Sequence, residues 1–74
     1  MFLSQLKDGQ SAIIKDIKTS KKITERLTLL GLTKGIKITM IRKGVFLSPI
    51  EIKVRDFYLA MRKSEADKIE VDYE

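Results

Sequence analysis

Between Ser20 and Gly35 the chain carries one apolar stripe at helical spacing, Ile23, Leu27 and Leu30, with Lys22, Glu25, Arg26 and Thr28 on or near the other side. Almost everything else alternates at period two, so this helix of about three turns must cover strands. A hydroxyl at Thr19 or Ser20 accepts from the first free N–H groups and starts it. Gly31 directly follows the last periodic leucine and takes the left-handed conformation that a C-terminal cap requires. Leu32 then folds back toward the end of the stripe, and Thr33-Lys34-Gly35 reads as a tight turn into the next strand.

The strands follow from alternation. Leu3 and Leu6 form an apolar anchor before the turn Lys7-Asp8-Gly9, and residues 10–18 read as a first strand. Ala12, Ile13 and Ile14 are consecutive while Ile17 is out of step with Ile14, which predicts a bulge near Lys15-Asp16. Ile36, Ile38 and Met40 face inward against Lys37 and Thr39, with Ile41 breaking the polar face. Ile50, Ile52 and Val54 alternate with Glu51, Lys53 and Arg55; Asp56 and a neighbour turn the chain, and Phe57, Leu59 and Met61 alternate with Tyr58, Ala60 and Arg62. Ser64-Glu65-Ala66-Asp67, a serine with an acid three residues on, marks a helical turn. Ile69, Val71 and Tyr73 against Glu70, Asp72 and Glu74 make the last strand.

Five short strands with one buried face each cannot stack as two full sheets in 74 residues. Closing a strongly bent meander removes the exposed edges instead. The expected fold is therefore mostly β, a single domain over residues 1–74: a small SH3-like β-barrel, with the helix in the crossover from strand one to strand two. Such a chain buries roughly 60–65% of its unfolded surface and leaves little room for a deep cleft.

The chain has no cysteine and no histidine, which removes disulfides, the usual soft-metal ligands and the common nucleophile and base pairs. Its acids fall on polar strand faces and turns, where nothing separates their pKa values for acid–base work. No enzyme activity, cofactor or metal site is expected, and Glu70, Asp72 and Glu74 read as a charged edge strand rather than a cation site. The N-terminus lacks a signal-peptide pattern and no run is long and apolar enough to span a bilayer, so a cytoplasmic location is expected. A formal charge of +5 favours anionic partners. The alternative function is a small basic barrel binding nucleic acid through Lys37, Arg42, Lys43, Lys53, Arg55 and Arg62 with Tyr58 or Phe46 stacking, but Glu51 and Asp56 interrupt that surface.

Val45-Phe46-Leu47 is more telling: three apolar residues in succession at the tip of a connection, between Gly44 and Pro49, are costly to expose unless they cap the barrel or contact a partner. Leu29 and Leu32, off the main stripe, offer a second apolar surface. A protein–protein interaction module is the leading reading, with self-association through the same patches as an option.

Four segments in order resemble the FeoA family: Leu6-Lys7-Asp8-Gly9, the run from Arg26 to Gly35, the run from Pro49 to Val54, and Leu59 to Ala66 followed by Ile69 and Val71. Lys34 stands where the family often has proline, and Leu47-Ser48 replaces a small polar turn. The resemblance implies a small cytoplasmic SH3-like accessory protein of bacterial ferrous iron uptake that binds the cytoplasmic part of the FeoB transporter, peripheral to the membrane at most. On that reading Leu29, Gly31, Leu32, Val45, Phe46 and Leu47 meet the partner while Lys34, Arg42 and Lys43 steer toward an acidic partner or an anionic lipid surface.

Overall fold

The computed structural model describes residues 1–73. Five antiparallel strands, β1 (Ser11–Ile17), β2 (Lys37–Lys43), β3 (Ile50–Val54), β4 (Phe57–Met61) and β5 (Ile69–Tyr73), form one sheet in the order β4-β3-β2-β1-β5. The helix α1 (Lys21–Leu29) fills the crossover between β1 and β2, and the short α2 (Lys63–Ala66) joins β4 to β5. The fold is the expected SH3-like arrangement with one difference. The barrel is not closed: among the described residues no ladder joins β4 to β5. The N-terminal residues cover the outer edge of β5 instead, with Phe2 bridged to Glu70 and the Val71 N–H donating to the Met1 carbonyl at 2.8 Å. At this length the chain blunts one edge with its own terminus rather than by full closure.

Two register shifts bend the sheet. One lies between Ile14 and Asp16 in β1, where the sequence places a bulge. The other lies between Met40 and Arg42 in β2, and it explains why Ile41 interrupts the polar face: the bulge leaves that residue without a place in the alternation. Ile38, Met40, Ile50, Ile52 and Val54 from the β2–β3 hairpin are fully buried in one core with Ala12, Ile14, Val71, Leu3 and Leu6.

Ser20 caps α1 by accepting from the Ile23 N–H at 3.3 Å. At the other end the Leu32 N–H donates to the Leu27 carbonyl at 3.0 Å and the Gly31 N–H to the Thr28 carbonyl at 3.0 Å, with Gly31 at φ 94°. These paired bonds satisfy carbonyls the helix would otherwise leave free, and they reverse the chain so that Leu32 lands beside Leu27 in the core. Leu27 is the one fully buried residue of α1, Ile23 is half-buried, and Leu30 is exposed. The stripe is thus shorter than its spacing implies, because the helix ends before Leu30 reaches the sheet.

The turn α2 is capped at Arg62, two residues before the Ser64 that the capping pattern suggests. Glu65 reaches back to accept from the Arg62 N–H at 3.0 Å. Asp67 is thereby left free to bond elsewhere. It accepts from the Ser4 hydroxyl and from Lys63 Nζ at 3.1 and 3.2 Å, tying the N-terminal segment to α2. The Ser4 hydrogen bond, followed by Lys63, holds the Asp67 carboxyl below the ordinary carboxylate range.

Two expectations follow. Leu27→Ala should cost about 2–5 kcal/mol in urea unfolding, whereas Leu29→Ala, two positions on and 89% exposed, should stay within about 0.5 kcal/mol. Because the folded Asp67 carboxyl titrates low, its contribution is present above the unfolded carboxylate pKa and lost as pH falls through the lower folded value. An NMR titration should place its midpoint below that of an unstructured aspartate, and Ser4→Ala should raise it.

Candidate functional site

The connection from β2 to β3 is a tight neck carrying an apolar tip. Lys43 pairs with Ile50 across the ladder, and the Gly44 N–H donates to the Pro49 carbonyl at 2.7 Å. Above the neck, the Leu47 N–H donates to the Gly44 carbonyl at 2.9 Å and Val45–Leu47 form a single turn. Glycine is required at 44 for lack of space: a Cβ there would stand 2.7 Å from the Ser48 carbonyl oxygen and 2.8 Å from Pro49 Cδ.

Phe46 and Leu47 both occupy the left-handed region, at φ 57° and 66°. For side chains with a Cβ that conformation costs about 1–2 kcal/mol each, and an apolar residue ordinarily recovers such a cost by burial. Here it does not. Val45, Phe46 and Leu47 are 77, 94 and 50% exposed, so the tip does not fold back to cap the core. Strain without burial at a rigid tip is an arrangement associated with functional sites.

A shallow groove of about 330 Å³ opens beside the neck, between α1, β4 and Pro49. Leu30, Leu59 and Pro49 give it an apolar floor over the buried Leu27, and Arg26 and Arg62 stand at its rim, the former paired with Glu65 of α2. Leu29 projects from the neighbouring helix face. The sequence reading assigned Leu30 to the core and so missed this wall, although its position at the helix end, where the chain reverses, was a usable signal.

The other expected contact residues divide. Leu32 is fully buried and cannot meet a partner: the reversal at Gly31 that satisfies the helix carbonyls also drives it inward. Gly31 serves that turn through its left-handed backbone at φ 94°, and the Phe57 ring lies beside it. Lys34 is exposed and 3.7 Å from Asp16. Arg42 Nε is 3.1 Å from Glu51 Oε1, which partly offsets its charge, while Lys43 makes no ion pair among the described residues.

At the opposite end of the β2–β3 hairpin, Gly35, Lys37, Thr39, Lys53 and Arg55 line an open groove of about 370 Å³. Lys53 Nζ lies 5.9 Å from the Tyr58 ring centroid, and the Thr39 hydroxyl is engaged with that of Ser11 at 2.8 Å. Among the described residues no group of three or more carboxylates, cysteines or histidines is placed to hold a metal ion. Among them, too, no helix is long and apolar enough to cross a membrane. Glu74, the last of the alternating acids, lies outside the described residues.

Fold and surface together define a small SH3-like domain that presents an apolar tip and an adjoining groove. The FeoA domain model matches residues 1–73, and the chain belongs to the FeoA family. It is 32% identical over 72 residues to a putative Fe(2+) transport protein A of Campylobacter jejuni, covering 97% of each chain. It is 28% identical over 72 residues to a Fe(2+) transport protein A/Fe(2+) transporter FeoB fusion protein of Porphyromonas gingivalis, matching 97% of this chain and 8% of that protein. The zinc-complexed crystal structure of FeoA from Stenotrophomonas maltophilia, an SH3 domain protein, superposes with a TM-score of 0.85 at 34% identity, over 97% of this chain and 89% of that one.

If the tip is held for function rather than stability, Phe46→Asn should leave the fold intact and raise its stability by up to about 1 kcal/mol, since asparagine tolerates the left-handed region better. Thermal and urea unfolding check this. A loss of about 3–5 kcal/mol, as for a buried phenylalanine, would mean that the ring supports the core.

Proposed function

We propose that this chain is a non-enzymatic, cytoplasmic accessory protein of ferrous iron uptake that docks on the cytoplasmic part of a FeoB-type transporter. The observation that carries the reading is the strained, exposed tip of Val45, Phe46 and Leu47 beside the groove of Leu30 and Leu59. Family membership ties the chain to Fe(2+) transport, and the fused relative, in which such a domain and a FeoB transporter share one chain, supports FeoB as the partner. Leu29 supplies apolar contact from the helix beside the groove, and the tip supplies it from the hairpin, on the transporter or on the bilayer that surrounds it, while Lys34, Arg42 and Lys43 steer the encounter. Self-association through the same tip would compete with docking and would show as concentration-dependent mass.

The rival nucleic-acid reading rests on the cationic groove of Lys37, Lys53 and Arg55. It calls for affinity that falls steeply with salt.

In pull-downs from membranes carrying the transporter, Phe46→Asp and Leu29→Asp should each reduce capture at least about tenfold, equivalent to about 1.4 kcal/mol. Full capture by both folded variants would refute the docking assignment. Titration with single-stranded DNA at two salt concentrations should give no strong, salt-sensitive binding.

A further inference from the structure

We infer that the Val45–Leu47 tip enters the interface of an anionic lipid bilayer, with Lys43 and Arg62 set against its headgroups. The inference rests on the accessory reading for one premise, that the domain works beside a membrane.

The shape of the tip favours lipid over a protein pocket. The neck is pinched by the Gly44–Pro49 hydrogen bond, and with Phe46 and Leu47 in the left-handed region the turn leaves Val45 and Phe46 largely exposed and Leu47 half exposed. A protein would need a deep socket to cover a Phe46 ring that is 94% exposed, whereas a bilayer interface yields to whatever shape is pressed into it. Aromatic and branched side chains rimmed by cations are the composition of interfacial anchors.

Charge points the same way. Lys43 at the neck makes no ion pair among the described residues. Arg62 lines the groove with Pro49, at the base of the tip, and it too makes no ion pair among the described residues. Glu51, the acid at this end of the hairpin, is already engaged by Arg42, and the whole chain carries +5. The hydrogen bonds from the Gly44 N–H to Pro49 and from the Leu47 N–H to Gly44 already hold the turn's shape, which limits the conformational freedom lost when it enters the interface.

The chain has no tryptophan, so Phe46→Trp places a single reporter at the tip. Its emission should shift to the blue, and the protein should co-sediment, with vesicles of phosphatidylcholine mixed with phosphatidylglycerol, at least about tenfold more than with phosphatidylcholine alone. Phe46→Asp should lower that binding at least about tenfold, while Tyr73→Ser, which truncates an exposed aromatic elsewhere, should not. Absence of both the blue shift and the co-sedimentation overturns the inference. So does loss of capture of detergent-solubilised transporter by Phe46→Asp without vesicle binding, which would place the tip in a protein socket and leave the accessory reading intact. Vesicle binding that depends on Phe46, together with no capture of the transporter by the parent chain, would support lipid contact and sink the accessory reading instead.

Discussion

The structure depends on one long, two-sided burial: the β2–β3 hairpin delivers Ile38, Met40, Ile50, Ile52 and Val54 into a core that Leu27 and Leu32 seal from the helix side. Each fully buried aliphatic side chain contributes on the order of 1.5–3 kcal/mol, so a domain this small holds its hairpin only because nearly every inward residue is completely covered. The same hairpin carries the tip. Its stem is therefore among the best anchored parts of the molecule, and that anchoring lets a strained turn persist at its end.

The energetics of the tip and of the core are thus coupled. Two left-handed residues cost on the order of a few kcal/mol together, a large share of the net stability available to a domain of this size. The hydrogen bonds across the neck and the close approach at Gly44 leave the turn little alternative geometry. A stiff tip can present apolar side chains to a partner without first having to be ordered, which a floppy loop of the same composition cannot do.

Most of the fold was legible in the sequence because the inward residues recur at period two, from Ile38 to Met40, from Ile50 to Val54 and from Ile69 to Val71; β4 departs from this, with Met61 buried, Leu59 half-buried and Phe57 exposed at the turn from β3. The bulge at Asp16 was legible for the same reason, as a break in phase between Ile14 and Ile17. What failed were questions of where elements end. Leu30 has core spacing but falls past the last helical turn, and although the reversal at Gly31 was legible, the Leu32 it turns inward was also expected on an outer surface, where it does not lie. Closure of the barrel was also beyond reach, because whether β4 meets β5 depends on accumulated bend rather than on any one residue. For the tip, composition showed that Val45, Phe46 and Leu47 were anomalous. It did not show which way they point, since no glycine or asparagine at 46 or 47 announces the left-handed backbone.

On the inferred reading, a three-residue apolar tip and two cations with no ion pair among the described residues would make a weak membrane contact by themselves, and a shallow groove beside it a weak protein contact. Used together they need not be weak, because once either is made the other becomes intramolecular and gains an effective concentration set by their separation. Pro49 belongs to both, at the foot of the tip and on the wall of the groove, so the two surfaces are neighbours held at a fixed offset. On the proposed reading, that offset is the selective element: a transporter face at the right height above the lipid engages both, and a soluble acidic protein engages only one. Covalent linkage of such a domain to a transporter would supply the effective concentration directly. Without such a linkage geometry has to supply it, and the close approach at Gly44 is what fixes that geometry here.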